Sequence, residues 1–396
     1  MDENISDSEE IGDNVDVVFE DDENGTHEEP NMDGDDGVDE SEGKIIEDDS
    51  TSALYAHEKD VFCVEASGTR WIGSGGEDDM AHIWDLSASP TDPVLSIQHN
   101  DSVVSIAFNS TGTLVATGDM SGRIFITQLS DLSKRSEISD CSDIEWMFWH
   151  KSSDILFVGD SDGSAWMWLI SQTGIAQQKV YSSGNATTSS GLLLPDGRRL
   201  LVGYDDGTLK LWQLQNQTNS GITCDSAVLS IAHSETQPLA AVGTANGTVY
   251  LLNSTVDANL RALKTFATSD PSQAEDMETE ETERSVECLT FCKEHSWIAV
   301  GRNDGTTIVY ETDTHNTRFT HTNETNQAVV KCLWIGYLLA VASVDGTIVI
   351  FDARSGNIVK ELRCGGDQVL DFSLLQVQPQ KLIVACSGGA IRFFDL

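Results

Sequence analysis

The side chains best placed to do chemistry in this chain are carboxylates, and they recur beside turns. An acid stands six residues before an aromatic at Asp78, Asp162, Asp206, Asp304 and Asp345. At that spacing it serves as a turn residue, its side chain bonding the backbone just ahead. Other acids lie beside those turns or in separate loops: Glu58, Asp60, Glu77, Asp79, Asp101, Asp119, Asp143, Asp160, Asp205, Asp225 and Asp367. A carboxylate with no turn duty can accept charge-assisted, often bidentate bonds from Arg or Lys of a bound segment. These residues are the candidate partner-binding set.

Catalytic and metal motifs are missing. The chain has no Walker loop, no nucleophile elbow, no His-Glu-x-x-His and no dinucleotide fingerprint. No catalytic, cofactor-binding or metal-ligating residue is therefore assigned, and enzyme activity is not expected. The nine histidines are dispersed. His57 is expected to join a structural network with Ser74 and Trp84, and His82 to pack within a strand. Trp146, Trp149, Trp166 and Trp168 could frame a cation cage. Trp166 and Trp168, two apart, share one strand face, which fits core packing better. The eight cysteines stand singly with no Cys-x-x-Cys pair, the pattern of buried reduced thiols.

The elements that must hold these residues form a repeat. From residue 57 onward an apolar run ending in small residues, an Asp-Gly-like turn and a run closing on an aromatic recur. Clear copies are WIGSGGEDDMAHIWDL (71–86), LLVGYDDGTLKLWQL (200–214), AVGRNDGTTIVYET (299–312) and LAVASVDGTIVIFDA (339–353). The anchor position falls at Trp84, Thr127, Trp168, Trp212, Leu252, Tyr310, Phe351 and Phe394, in steps of 43, 41, 44, 40, 58, 41 and 43. A period of about 40–45 with strands and no helices is that of WD propellers, four strands to a blade. The fold class is thus all-β, an eight-bladed WD40 β-propeller over residues 51–396. The long step holds an acidic insertion, 270–283, placed on a loop. The last copy ends on its third strand, so Ser52 to His57 is expected to supply the fourth and close the ring.

Charge divides the chain. The net charge is −42, and residues 1–50 carry 22 acids against Lys44 alone. With so little apolar surface to bury, that segment is expected to be a disordered acidic tail. Such a protein should repel nucleic acid and anionic membrane and attract basic polypeptides. No apolar run approaches the roughly 20 residues of a membrane span, and no signal peptide is evident. In a propeller, the loops before each innermost strand and the turns between second and third strands share one face, the top. Acids dominate there. Bases such as Arg70, Lys151, Arg198, Lys293, Arg318, Arg354 and Lys381 fall on the opposite face.

Beyond the generic repeat, EDDSTSALYAHEKDVFCV, GGEDDMAHIWDL, IEWMFWH, WMWLI and LPDGRRLLVGYDDGTLKLW give the chain a likeness of its own. Over about residues 45–396 it resembles the angio-associated migratory cell protein family, which includes a yeast chaperone of a large-subunit ribosomal protein. Thr127 and Leu252 depart from the aromatic pattern. The resemblance implies a non-enzymatic chaperone or escort of a basic client. That client is a nascent large-subunit ribosomal protein, held by its basic N-terminal segment during ribosome assembly. The same resemblance implies a second reading, a scaffold in cell migration and small-GTPase signalling. A monomer is expected, without direct nucleic-acid contact, in the cytoplasm and with the nucleus as a second compartment.

Overall fold

In the computed structural model the described residues are 47–88, 91–182, 184, 186–256, 260–267 and 284–396. The expectations for the acidic tail and for the insertion at 270–283 lie outside them. The described residues form eight four-stranded antiparallel sheets, one per repeat copy. Blades 1 to 7 occupy 61–98, 103–138, 144–182, 188–223, 228–266, 286–322 and 329–363. Blade 8 takes its three inner strands from 369–395 and its outer one from Ser52–Tyr55, which pairs antiparallel with Ala390–Asp395. Closure by the first strand is as the repeat arithmetic requires, and it hides an otherwise bare sheet edge. A short strap completes the seam. Asp49 N–H donates to Arg363 O at 3.0 Å in blade 7, and Thr51 N–H to Phe393 O at 2.7 Å in blade 8.

The core is divided rather than central. Eight apolar clusters each span one pair of neighbouring blades, so alternation of side chains along every strand feeds two interfaces. Trp84, for example, is buried among Leu54, Val61 and Phe393 where blade 1 meets blade 8. Thr127 and Leu252, in place of aromatics, are also buried. Core packing absorbs the tryptophans as well. Trp166 and Trp168 stack at 5.4 Å, and Trp146 lies flat over Gly159 and Gly191, where a Cβ would sit 2.0 and 2.4 Å from its ring. Trp149 Nε1–H donates to Ala107 O of blade 2 at 2.9 Å.

The eight innermost strands ring the central axis, where their backbones cannot pair with one another. Side chains tie them instead. Glu65 accepts Phe108 N–H at 2.9 Å, and Asp371 accepts Val64 N–H at 3.1 Å and Lys331 Nζ at 2.8 Å. Each of these strands also carries one extra residue near its top end. The register slips between Val61 and Cys63, Val103 and Ser105, Ile144 and Trp146, and at the same place in the other five blades. A β-bulge of this kind takes a residue out of the ladder and re-aims its side chain.

Candidate functional site

On the top face, the turn acids behave largely as their spacing implies. Asp206, Asp304 and Asp345 accept the N–H of Thr208, Thr306 and Thr347 at 2.8, 3.0 and 3.0 Å. Asp78 accepts Glu58 N–H at 2.9 Å and pairs with His57 Nδ1 at 2.9 Å, while His57 Nε2 meets Ser74 Oγ at 2.7 Å. Burial alone would raise the Asp78 carboxyl; these bonds hold it below the usual carboxylate range. The expected His57–Ser74–Trp84 network thus centres on Asp78, and Trp84 Nε1 finds no partner among the described residues. His82 is packed as expected, its Nδ1 2.9 Å from Ser96 Oγ, and burial lowers its imidazole to about 4.

Two members of the candidate set are withdrawn from the surface. Asp119 is fully buried, and its oxygens take bonds from His99, Asn100, Ser121 and Arg123. Asp160 is 1% exposed and accepts Ser164 N–H at 2.8 Å and Trp166 Nε1–H at 2.6 Å. Both stand at the last residue of a second strand, Asp160 two before the turn acid Asp162 and Asp119 two before Ser121, and from there the side chain reaches back inside. A carboxylate enclosed and bonded in this way has no lone pair to offer a ligand. The exchange runs the other way at Asp162, which is exposed because Asp160 has taken over the turn bond of blade 3.

The other nine stay at the surface. Glu58, Asp101, Asp143, Asp205 and Asp225 are exposed, and Asp60, Glu77, Asp79 and Asp367 half-buried. Several are partly engaged. Asp60 accepts Gly388 N–H at 2.8 Å, Asp225 accepts Thr248 Oγ1–H at 2.6 Å, and Asp367 pairs with Arg392 at 2.7 Å. Glu77 faces Lys59 at 3.6 Å. The densest group joins blades 3 and 4. There Glu145, on the bulge of its strand, has its carboxyl pushed up by burial and then by the charges of Asp143 and Asp205. None of the ion pairs among the described residues includes Glu58, Asp79, Asp143, Glu145, Asp162 or Asp205.

The bottom face is different in kind. Many of its bases are matched by local acids: Arg70 to Asp85 at 2.6 Å, Arg199 to Asp196 at 2.5 Å, Arg354 to Asp352 and Lys381 to Asp395 at 2.7 Å. Lys151 and Lys293, from blades 3 and 6, share Glu235 of blade 5 at 3.0 and 3.1 Å. The sequence shows bases there but not their pairing. A cavity of about 280 Å³ opens beside them, lined by His150, Lys151, Leu193, Pro195 and Arg198. All eight cysteines are free thiols; Cys288 and Cys332 lie with Sγ atoms 3.5 Å apart across blades 6 and 7.

Eight closed blades with His–Asp turn networks define a WD-repeat β-propeller. The WD domain, G-beta repeat, matches residues 49–85, 91–127 and 183–213, and the anaphase-promoting complex subunit 4 WD40 domain matches residues 290–377. The chain belongs to the angio-associated migratory cell protein family. It is 32% identical over 360 residues to the human angio-associated migratory cell protein, covering 86% of this chain and 78% of that protein. It is also similar to the ribosome assembly protein SQT1 of Saccharomyces cerevisiae, 25% identical over 408 residues and 92% of each chain. The yeast Sqt1 crystal structure superposes with a TM-score of 0.78 at 21% identity, covering 88% of this chain and 99% of that one. Chaetomium thermophilum Sqt1, solved bound to the N-terminus of the ribosomal protein L10, gives 0.77 at 21% identity, covering 88% and 100%.

Proposed function

We propose that this protein is a non-enzymatic escort of a basic polypeptide, the N-terminal segment of a large-subunit ribosomal protein, which it holds on its top face. The observation that carries this reading is the contrast between faces. The top keeps Glu58, Asp79, Asp143, Glu145, Asp162 and Asp205 outside the ion pairs of the described residues, while the bottom neutralises most of its bases locally. Unpaired like charges repel one another, and a ligand supplying Arg and Lys relieves that repulsion. A fungal relative solved with the N-terminus of L10 supports the choice of client. Occupying the client's cationic groups keeps them from RNA until assembly. The cytoplasm, where ribosomal proteins are made, is the proposed place of action, and the proposed form is a monomer.

Steering by exposed charges weakens with salt, because the screening length shrinks from about 10 Å at 0.1 M to about 3 Å at 1 M. Fluorescence anisotropy of a labelled N-terminal peptide of an L10-type ribosomal protein tests the reading. Binding at 50 mM salt that falls by tenfold or more at 300 mM supports it. No binding at low salt, or binding indifferent to salt, rejects it.

A further inference from the structure

Blades 4 and 5 carry Ser189 and Leu229 at the bulge of the innermost strand, and the other six blades form an arc of their own. In blades 7, 8, 1 and 2 the bulged residues are Val330, Leu370, Phe62 and Val104, four apolar side chains in unbroken succession. The next bulge on either side is a glutamate, Glu287 in blade 6 and Glu145 in blade 3. The four apolar residues are half-buried and the two glutamates exposed. Being one residue in from the top end of the strand beside the axis, all six stand at the upper mouth of the channel. The bulge releases each from its sheet partner; Val104 still packs against the cluster between blades 2 and 3, whereas Phe62, Val330 and Leu370 belong to none of the apolar clusters. The sector continues outward through Met120 on the blade 2 turn, which is 46% exposed.

We propose that the channel mouth is a two-part socket for a basic segment bearing one aromatic or large aliphatic side chain between cationic residues. The apolar side chain seats on Phe62, Leu370, Val104 and Val330, and flanking Arg or Lys side chains reach Glu145 and Glu287. Charge complementarity selects the occupant: an apolar seat bounded by carboxylates on both sides rejects an acidic segment and gains little from a purely apolar one. Asp143 and Asp205 reinforce the cationic requirement on the Glu145 side. The inference rests on the proposed function and narrows it from any basic polypeptide to an amphipathic one.

The test compares two peptides of equal charge, an Arg-rich ten-residue sequence with a central Phe and the same sequence with Ser in its place. Removing a buried aromatic should weaken binding tenfold or more. The Leu370→Ala protein, checked for an unchanged melting temperature, should lose affinity for the Phe peptide and little for the Ser peptide. Equal affinity of both peptides, with salt dependence intact, overturns the socket and leaves the acidic-face reading standing. Failure of both to bind overturns that reading and the socket with it. Should Leu370→Ala fold poorly, the two peptides on the unaltered protein still decide the matter.

Discussion

Replacing Asp119 by Ala separates a structural carboxylate from a surface one. Its two oxygens receive five bonds: His99 Nδ1 at 3.1 Å, Asn100 N at 3.3 Å, Ser121 N at 3.1 Å, Ser121 Oγ at 2.7 Å and Arg123 N at 3.0 Å. The carboxylate and His99 are closed to solvent, while Asn100 and Ser121 lie at the rim, where water can take over part of the lost bonding. Each buried donor left unpaired costs about 1–3 kcal/mol, and the terms are not additive because the loop relaxes as a unit. A total of about 4 kcal/mol follows, near the upper end for one substitution. With an unfolding entropy of about 2.1 cal/mol/K per residue, a domain of about 350 residues then melts roughly 5 °C lower. Asp205→Ala, at an exposed turn without such bonds, should stay within about 0.5 kcal/mol. Urea unfolding of both variants beside the parent reads the difference. A loss below about 1 kcal/mol at Asp119, or a loss at Asp205 equal to it, refutes the division of the acids into buried and free.

Other perturbations follow from the same structure. Deleting residues 1–55 removes the outer strand of blade 8 and its seam to blade 7, and should give an open, aggregating ring on size-exclusion chromatography; a monomeric product with the parent's melting temperature contradicts this. The His82 imidazole, lowered to about 4 in the folded protein against about 6.5 unfolded, makes the unfolded chain bind the extra proton between those values. Stability therefore falls as pH drops from about 6.5 to 4, by about 3 kcal/mol at most, and His82→Gln should flatten that part of the unfolding profile. Glu65, raised to about 7 by burial, acts with the opposite sign, losing stability as pH rises from about 4.5 to 7, so Glu65→Gln should stabilise the protein at neutral pH. Gly191→Ala drives a methyl to 2.4 Å from the Trp146 ring and should cost about 2 kcal/mol in chemical denaturation, recovered in part by Trp146→Leu.

The architecture was legible because it is written in period and composition. Anchor positions near every forty residues fixed eight blades, and the lone strand before the first copy announced the closure. Substitution of Thr127 and Leu252 for aromatics did not disturb this, since Leu252 fills an interblade cluster and Thr127 is buried. The acidic face was legible as a set of loops but not as a set of side chains. Asp119 and Asp160 close their second strands eight residues before the anchor, whereas Asp205 stands one place later, on the turn, and that one-residue offset sends two inward and leaves one in water. The bulges could not be read either. An extra residue in an inner strand changes no hydrophobic pattern, yet it carries Phe62, Glu145 and their counterparts to the channel mouth. Nor could the pairing of bases on the bottom face be read, because Lys151, Glu235 and Lys293 come from three blades and meet only once the ring is closed.

The central claim is that one face takes the basic client and the other does not. A labelled basic N-terminal peptide of an L10-type ribosomal protein, titrated at low salt against Asp205→Lys and Arg198→Glu proteins, tests it directly. Asp205→Lys places a cation beside Asp143 and Glu145 and is predicted to weaken binding about tenfold or more. Arg198→Glu, on the bottom, is predicted to leave the affinity unchanged or slightly raised. Unchanged binding to Asp205→Lys, or a clear gain in affinity from Arg198→Glu larger than the loss at Asp205, would place the client elsewhere and contradict the account.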